Sequence, residues 1–148
     1  MGEVVQGGII FYSGDTVLIA ALEDIYMPLC WDNNLIAISG TGIGIGSGAA
    51  NTAAIISVCT GNTMIAASAC TTYSYSGYTD WYLPSKDELN EMYSQKNVIG
   101  GFDNYTNYWS SSQYTPQTAW IQFFADGTQS RLGGKQQLYK VRPIRTMT

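Results

Sequence analysis

The side chains that usually carry out acid–base or nucleophilic chemistry are scarce in this sequence. Its 148 residues include no histidine, which excludes a Ser-His-Asp triad, a Cys-His pair and any zinc site with a histidine ligand. Three cysteines and the serines at 110–112 remain as candidate nucleophiles, and no imidazole base is available to activate them. We therefore predict that the protein is not an enzyme.

The cysteines Cys30, Cys59 and Cys70 form no CxxC pair. An odd number of widely spaced cysteines is typical neither of a zinc ribbon nor of a dense disulfide scaffold. A Cys59–Cys70 disulfide and buried free thiols are both compatible with the spacing, and we favour free thiols.

Neither the aspartates nor the glycine-rich segment forms a recognised motif for binding a metal ion or a nucleotide cofactor. Six aspartates could ligate calcium, but none lies in a DxDxDG-type loop. The glycines at 42, 44 and 46 precede a predicted helix, yet no βαβ repeat supports a dinucleotide site. We predict no cofactor, with a structural calcium ion as the alternative that these aspartates leave open.

Charge is low and unevenly distributed. Only 12% of residues are charged, seven basic and eleven acidic, for a net charge of -4. This balance argues against a nucleic-acid partner, because phosphate contacts need Lys and Arg. Two interpretations of the C-terminal basic residues stay open: pairing of Arg142 and Arg145 with acids such as Asp80 or Glu88, or a basic ligand face. Five basic residues follow the last acid: Arg131, Lys135, Lys140, Arg142 and Arg145.

The elements that would position these groups can be read from apolar runs and turn residues. Apolar runs at 7–12 and 16–21 flank Ser13-Gly14-Asp15 and predict a hairpin. Ser85 and Glu88 form a capping box that predicts a helix start. Strands at both ends with helices between them predict one α+β domain over residues 1–148, with both ends in one sheet. Further elements are predicted as helices at 49–59 and 62–70, strands at 108–111, 119–125 and 138–144, and loops at 115–118 and 128–137.

The uncharged segment 33–79 invites a membrane interpretation. Its glycines and polar residues argue against a spanning helix, so we predict a buried loop at 35–48 and no membrane insertion. No signal peptide is recognisable at the N-terminus.

The strand at 119–125 carries large apolar groups on both faces. Trp120, Gln122 and Phe124 alternate with Ile121 and Phe123. Either both faces are buried, or Ile121 and Phe123 face solvent, and such an apolar patch usually marks a binding site.

Three motifs carry a resemblance to a known family. DWYLPSKDEL at 80–89, YWSSS at 108–112 and VRPIR at 141–145 resemble, in order, motifs of the Lcl C-terminal-like domains, and GGIIFY at 7–12 agrees. The resemblance implies a C-type-lectin-like fold related to the formylglycine-generating enzymes. It also implies that Trp81, Trp109, Trp120 and Phe124 form a rigid scaffold.

Within that family the chain specifically resembles the variable proteins of diversity-generating retroelements, in which ligand-facing codons near the C-terminus are rewritten. The resemblance implies a diversified region at about 108–145 and a ligand or receptor on a target cell, either a protein or a surface polymer. It implies display on a virion or bacterial surface, and leaves a homo-oligomer open. The implied contact residues are Thr115, Gln117, Thr118, Ile121, Phe123, Asp126, Thr128, Ser130, Arg131, Leu132, Gln136 and Leu138.

Departures from related domains limit what the resemblance implies. The lectin sugar motifs EPN, QPD and WND are missing, and no cysteine pair matches the catalytic pair of the formylglycine-generating enzymes. Calcium-dependent sugar binding and oxidase activity are therefore not implied. The alternative function is a non-diversified adhesin that binds acidic or sulfated glycans through Arg131, Lys135 and Lys140.

Overall fold

The two ends of the chain meet in one antiparallel sheet of the computed structural model, which describes all 148 residues. A second antiparallel sheet is built from the C-terminal half, and the helices lie between the two in sequence. The fold is therefore α+β, as the sequence predicted. The elements are β1 (Val4–Val5), β2 (Gly8–Ser13), β3 (Val17–Ala21), α1 (Gly48–Val58), α2 (Ala66–Thr72), α3 (Lys86–Ser94), α4 (Lys96–Ile99), β4 (Asn107–Thr115), β5 (Thr118–Phe123), β6 (Gln129–Gly134) and β7 (Ile144–Thr146).

The first sheet has the order β1-β2-β3-β7. The predicted hairpin is confirmed, with Ile9 opposite Ala20. The last strand pairs with β3, so that Ile144 lies opposite Ala20 and Thr146 opposite Leu18. The strand predicted at 138–144 is shorter and later than expected, because Tyr139 and Lys140 make only isolated bridges and Pro143 has no N–H to give to a ladder.

The second sheet has the order β4-β5-β6. The prediction of a loop at 128–137 is wrong for most of that segment, since Ser130 pairs with Ile121 and Gly133 with Ala119. The strand was missed because it lies at the edge of the sheet, where Arg131 and Leu132 are both exposed and produce no alternation.

The helices follow the sequence signals closely. The helix predicted at 49–59 is α1, and the capping box at the start of α3 is present, with Glu88 Oε1 accepting from Ser85 N at 2.7 Å. The helix predicted at 62–70 starts later, at Ala66. Asn62 instead forms a turn, because its side chain accepts from the N–H of Met64 and its carbonyl accepts from Ser68.

Strand β4 separates the two main apolar clusters. Trp109 lies in the larger one with Trp31 and Ile121. The neighbouring residue Tyr108 lies in the other, with Phe11 and Phe124. Alternate side chains of one strand thus enter opposite cores, which is why the sequence is apolar on both faces here.

All three cysteines are buried free thiols, as favoured from their spacing. Burial raises the pKa of Cys70 far above its usual range. None of the helices has both the length and the hydropathy needed to cross a membrane.

Candidate functional site: the open face of the second sheet

Helix α3 covers only one end of the outer surface of the second sheet. Gln122 on β5 donates to Asn90 Oδ1 at 2.9 Å, and Gln129 on β6 donates to the carbonyl of Lys86 at 2.9 Å. The turn beyond them packs on the same helix, because a Cβ at Gly127 would lie 2.5 Å from the Tyr93 ring. The other end of this surface, toward the β4–β5 turn, is more accessible, since Tyr114 is 50% exposed and Trp120 is partly exposed.

The more accessible end holds two aromatic rings and two cations, which we call the open face: Tyr114, Trp120, Lys86 and Arg131. The rings of Tyr114 and Trp120 meet edge to face, with centroids 5.9 Å apart. Lys86 Nζ lies 4.7 Å from the Trp120 ring centroid, and Arg131 Cζ lies 5.4 Å from that of Tyr114. Cations at these distances are attracted by the ring faces, so the four side chains support one another.

The cations of the open face have little acidic compensation. Arg131 is exposed and has no carboxylate within 4.0 Å. The nearest acid to Lys86 is its neighbour Asp87, at 3.8 Å, a distance at which a surface ion pair contributes little. The open face is therefore positive and aromatic, a combination common at recognition surfaces.

The residues predicted to contact a ligand divide into two groups. Thr115, Gln117 and Thr118 form the β4–β5 turn next to the open face, and Arg131 and Leu132 follow on the edge strand. Gln136 and Leu138 are exposed beyond that strand, where Gln136 donates to the carbonyl of Asn33 at 3.0 Å.

The second group lies at the opposite end of β5. Asp126 and Thr128 form the β5–β6 turn, where the Thr128 N–H donates to Asp126 Oδ1 at 2.9 Å. Phe123 and Ser130 beside them are half-buried. Because a strand rises about 3.3 Å per residue, the two groups are on the order of 17 Å apart along β5. The twelve predicted residues therefore do not form a single patch.

Two positions assigned to ligand contact are buried. Ile121 is only 7% exposed and belongs to the larger core cluster, because its register places it beside Ala119 on the inner face. Lys135, assigned to glycan binding, is fully buried. Its Nζ donates to Gln113 Oε1 at 2.8 Å and to the carbonyl of Ile36 at 3.0 Å. Both side chains therefore pack within the framework and are shielded from solvent.

The uncharged loop at 35–48 is fixed by polar side chains of β4. Ser112 donates to the carbonyl of Gly42 at 2.8 Å, and the side-chain amide of Gln113 both donates to and accepts from the backbone of Ile38. On α1, Asn51 forms two hydrogen bonds with the backbone of Gly42. The loop is thereby held against β4, immediately before Tyr114, and the buried serines at 110–112 have a structural role.

The two arginines of the VRPIR motif pair with acids, which supports the first of the two interpretations left open. Arg145 binds Asp80 through two hydrogen bonds, at 2.6 and 3.0 Å, and this guanidinium lowers the pKa of Asp80. Arg142 pairs with Asp24 at 2.8 Å. Glu88, suggested as a partner, is instead engaged in the α3 capping box and with Gly46 N–H.

Sequence reasoning missed three of the four members of the open face, because only Arg131 was among the predicted contact residues. Tyr114 directly precedes the first of those residues, Thr115. Trp120 was assigned to the scaffold, but it is partly exposed, unlike Trp81 and Trp109. Lys86 lies outside the predicted region and joins the open face only because α3 starts beside β5. The available signal was its position directly after the Ser85 cap, which fixes where the side chain emerges.

One apolar cavity of about 270 Å³ lies away from the open face, between the segment 25–29 and α2. Tyr26, Met64 and Tyr73 are among its lining residues. No three Cys, Asp or Glu side chains cluster in a way that could hold a metal ion.

Comparison with known proteins places the chain in a family. The model of the Lcl C-terminal domain matches residues 21–145, and the chain belongs to that family. A fimbrial protein from Bacteroides ovatus ATCC 8483 has a similar solved structure, with a TM-score of 0.54 and 16% sequence identity. The similarity covers 86% of this chain and 35% of the fimbrial chain. No curated protein matches the sequence.

Proposed function

We propose that this chain is a non-enzymatic ligand-recognition domain that binds through the open face and the adjoining β4–β5 turn. One observation carries the proposal: between residues 108 and 145, buried framework residues alternate with exposed ones, of which Gln117, Arg131 and Leu132 lie beside an aromatic and cationic surface. Trp109, Gln122 and Phe124 are fully buried, whereas Arg131 and Leu132 are exposed.

The framework would present these contacts already ordered. Gln113 and Lys135 bind the loop at 35–48 to the second sheet through hydrogen bonds to its backbone. The rings of Tyr114 and Trp120 support the two cations of the open face. Side chains held in their bound positions lose less conformational entropy on binding, which favours affinity.

A place on a bacterial or phage surface is part of the proposal. The similarity to a fimbrial protein supports it at the level of fold, together with membership of the Lcl C-terminal domain family. The ligand would be a protein or polymer on a target cell, because the open face is a surface and not an enclosed polar pocket.

Diversification by a retroelement is the finer part of the proposal. It is supported by the different types of side chain that occupy exposed positions between buried framework residues. Ile121 is not one of these exposed positions, because it is buried. The test is to sequence the surrounding locus and sibling genes. We expect a reverse transcriptase gene, an adenine-rich near-copy of codons 108–145, and sibling differences concentrated at exposed positions of this region. Differences spread evenly along the chain would contradict diversification.

Binding of acidic or sulfated glycans is the second candidate, and the unpaired charge of Arg131 favours it. Of the cations first assigned to it, Lys135 is buried and Lys140 is near Asp103, at 3.6 Å. Affinity for a sulfated polysaccharide that falls steeply between low and moderate salt would support this candidate. Unchanged affinity across that range would contradict it.

A further inference from the structure

We infer that the partner of the open face is a protein segment in which carboxylates lie beside apolar side chains. This inference rests on the proposed function and names the chemistry of its ligand. The relevant contacts are Arg131 and Lys86 for the carboxylates, and Tyr114, Trp120 and Leu132 for the apolar groups.

The charge of the open face selects acidic partners. Arg131 has no acid within 4.0 Å, and no Asp or Glu follows Asp126 in the chain. The rest of the molecule is negative, with a net charge of -4 overall. A positive patch on an acidic protein orients an approaching acidic partner toward that patch.

The position of Arg131 suits a carboxylate in particular. Its guanidinium lies over the Tyr114 ring, at 5.4 Å, and this contact restrains the side chain while leaving its N–H groups available. A planar guanidinium binds a carboxylate through two parallel hydrogen bonds. Stacking on Tyr114 reduces the entropy lost when these bonds form.

The neighbouring side chains favour a protein over a polysaccharide. Sugar rings bind aromatic residues by stacking on an open ring face, but Lys86 lies over Trp120 and Arg131 over Tyr114. Leu132 is 70% exposed and Leu138 is 62% exposed. Tyr, Trp and Arg are the residue types enriched at protein interfaces, and Leu132 adds exposed apolar surface next to Arg131.

In the experiment, peptides that bind the immobilised full chain are selected from a phage-displayed library of random peptides. Selected peptides are then synthesised, and their affinities are measured by fluorescence anisotropy. We expect Asp and Glu to be enriched beside apolar residues relative to the unselected library. Arg131→Gln should weaken binding roughly tenfold to a hundredfold. The matched control Lys140→Gln, which removes a cation outside the open face, should leave affinity unchanged.

Three results would overturn the inference, and they separate it from the proposed function. If peptides lose affinity with Trp120→Ala but show no enrichment of acids, the partner chemistry is wrong and the recognition surface stands. If neither Trp120→Ala nor Arg131→Gln weakens any selected peptide, both proposals fail. If polygalacturonate binds in an Arg131-dependent way and no peptide does, the partner is a polysaccharide. Circular dichroism of each variant establishes that it is folded.

Discussion

The ammonium group of Lys135 lies 4.3 Å from the centre of the Trp31 ring, and both side chains are almost completely shielded from solvent. The same ammonium group is hydrogen-bonded to Gln113 and to the carbonyl of Ile36. A residue expected at the binding surface is thus a central tie between the second sheet and the loop that precedes α1.

Replacing Lys135 should lower the free energy of unfolding, because its side chain is buried and hydrogen-bonded. Lys135→Met keeps the length of the side chain but leaves the Ile36 carbonyl without this donor, and Gln113 Oε1 keeps only its hydrogen bond from the Ile38 N–H. We expect the free energy of unfolding to fall by about 2–4 kcal/mol. Urea unfolding measures the change, and Lys140→Met, at a partly exposed position, should change it by less than about 0.5 kcal/mol. Equal effects of the two substitutions would contradict the assigned role of Lys135.

The burial of the Lys135 ammonium group should also be visible in the pH dependence of the free energy of unfolding. Burial lowers the pKa of Lys135 from 10.5 to about 8, against the opposing effect of Asp32. Between these two pH values the unfolded chain binds more protons at this lysine than the folded chain does. The contribution of Lys135 to the free energy of unfolding therefore rises with pH in this window.

Comparison with Lys135→Met isolates that contribution from other groups that titrate in this range. The stability difference, wild type minus Lys135→Met, should increase between about pH 8 and pH 10.5. Urea unfolding at several pH values measures it. A difference that stays constant, or falls, would show that the ammonium group is not desolvated in the folded protein.

Two adjacent glycines should respond differently to the same substitution. A Cβ at Gly133 would lie 2.6 Å from both the Ala119 carbonyl oxygen and a methyl group of Ile121, whereas at Gly134 the nearest contact is Gln137 Cγ at 3.4 Å. We expect Gly133→Ala to destabilise the protein by about 1–3 kcal/mol, and Gly134→Ala to have little effect. Thermal unfolding of the two variants checks this, and similar melting temperatures would contradict the register of β6.

The predictable part of this fold is the part encoded by local signals. The hairpin around Gly14 and the capping box at Ser85 require only neighbouring residues, and both are present. Edge strand β6 was missed because one exposed strand carries no alternating pattern. The burial of Lys135 depends on Ile36 and Gln113, distant in sequence, and no local pattern indicates it.

The same limit applies to the candidate site: the sequence indicated its region, but its membership depends on contacts between residues that are distant in sequence. Motif order predicted a contact region in the C-terminal part of the chain, and Arg131 and Leu132 are exposed there. Alternation along β5 could not decide which of its two apolar faces is covered by helix α3. Lys86 enters the open face through packing between elements, which is a tertiary effect.

The pair formed by Arg145 and Asp80 should contribute to acid sensitivity. The guanidinium lowers the pKa of Asp80 through its hydrogen bonds, so the stabilisation is present above the ordinary carboxylate pKa and is lost as pH falls through the lowered value. Asp80→Asn leaves a buried guanidinium without its counter-charge, and because Asp80 is itself about half exposed we expect a moderate loss of about 1–2 kcal/mol at pH 7.

Acid titration of stability distinguishes this pair from general charge effects. The stability gap between wild type and Asp80→Asn should close as pH falls below about 4. Glu23→Gln, at an exposed position without an ion pair, serves as the control and should show no such gap at neutral pH. A gap that persists at low pH would mean that Asp80 acts through its shape and not its charge.

The two tryptophans of the second sheet should separate the framework from the recognition surface. Trp109 is fully buried and donates from Nε1 to the Leu29 carbonyl at 2.7 Å, so Trp109→Ala should cost about 3–5 kcal/mol. Trp120 is partly exposed, and Trp120→Ala should cost about 1 kcal/mol while abolishing binding of peptides selected on the open face. Urea unfolding and fluorescence anisotropy measure the two properties on the same samples. A large loss of stability in Trp120→Ala would place this ring in the framework, because a contact residue can be removed without unfolding the scaffold that presents it.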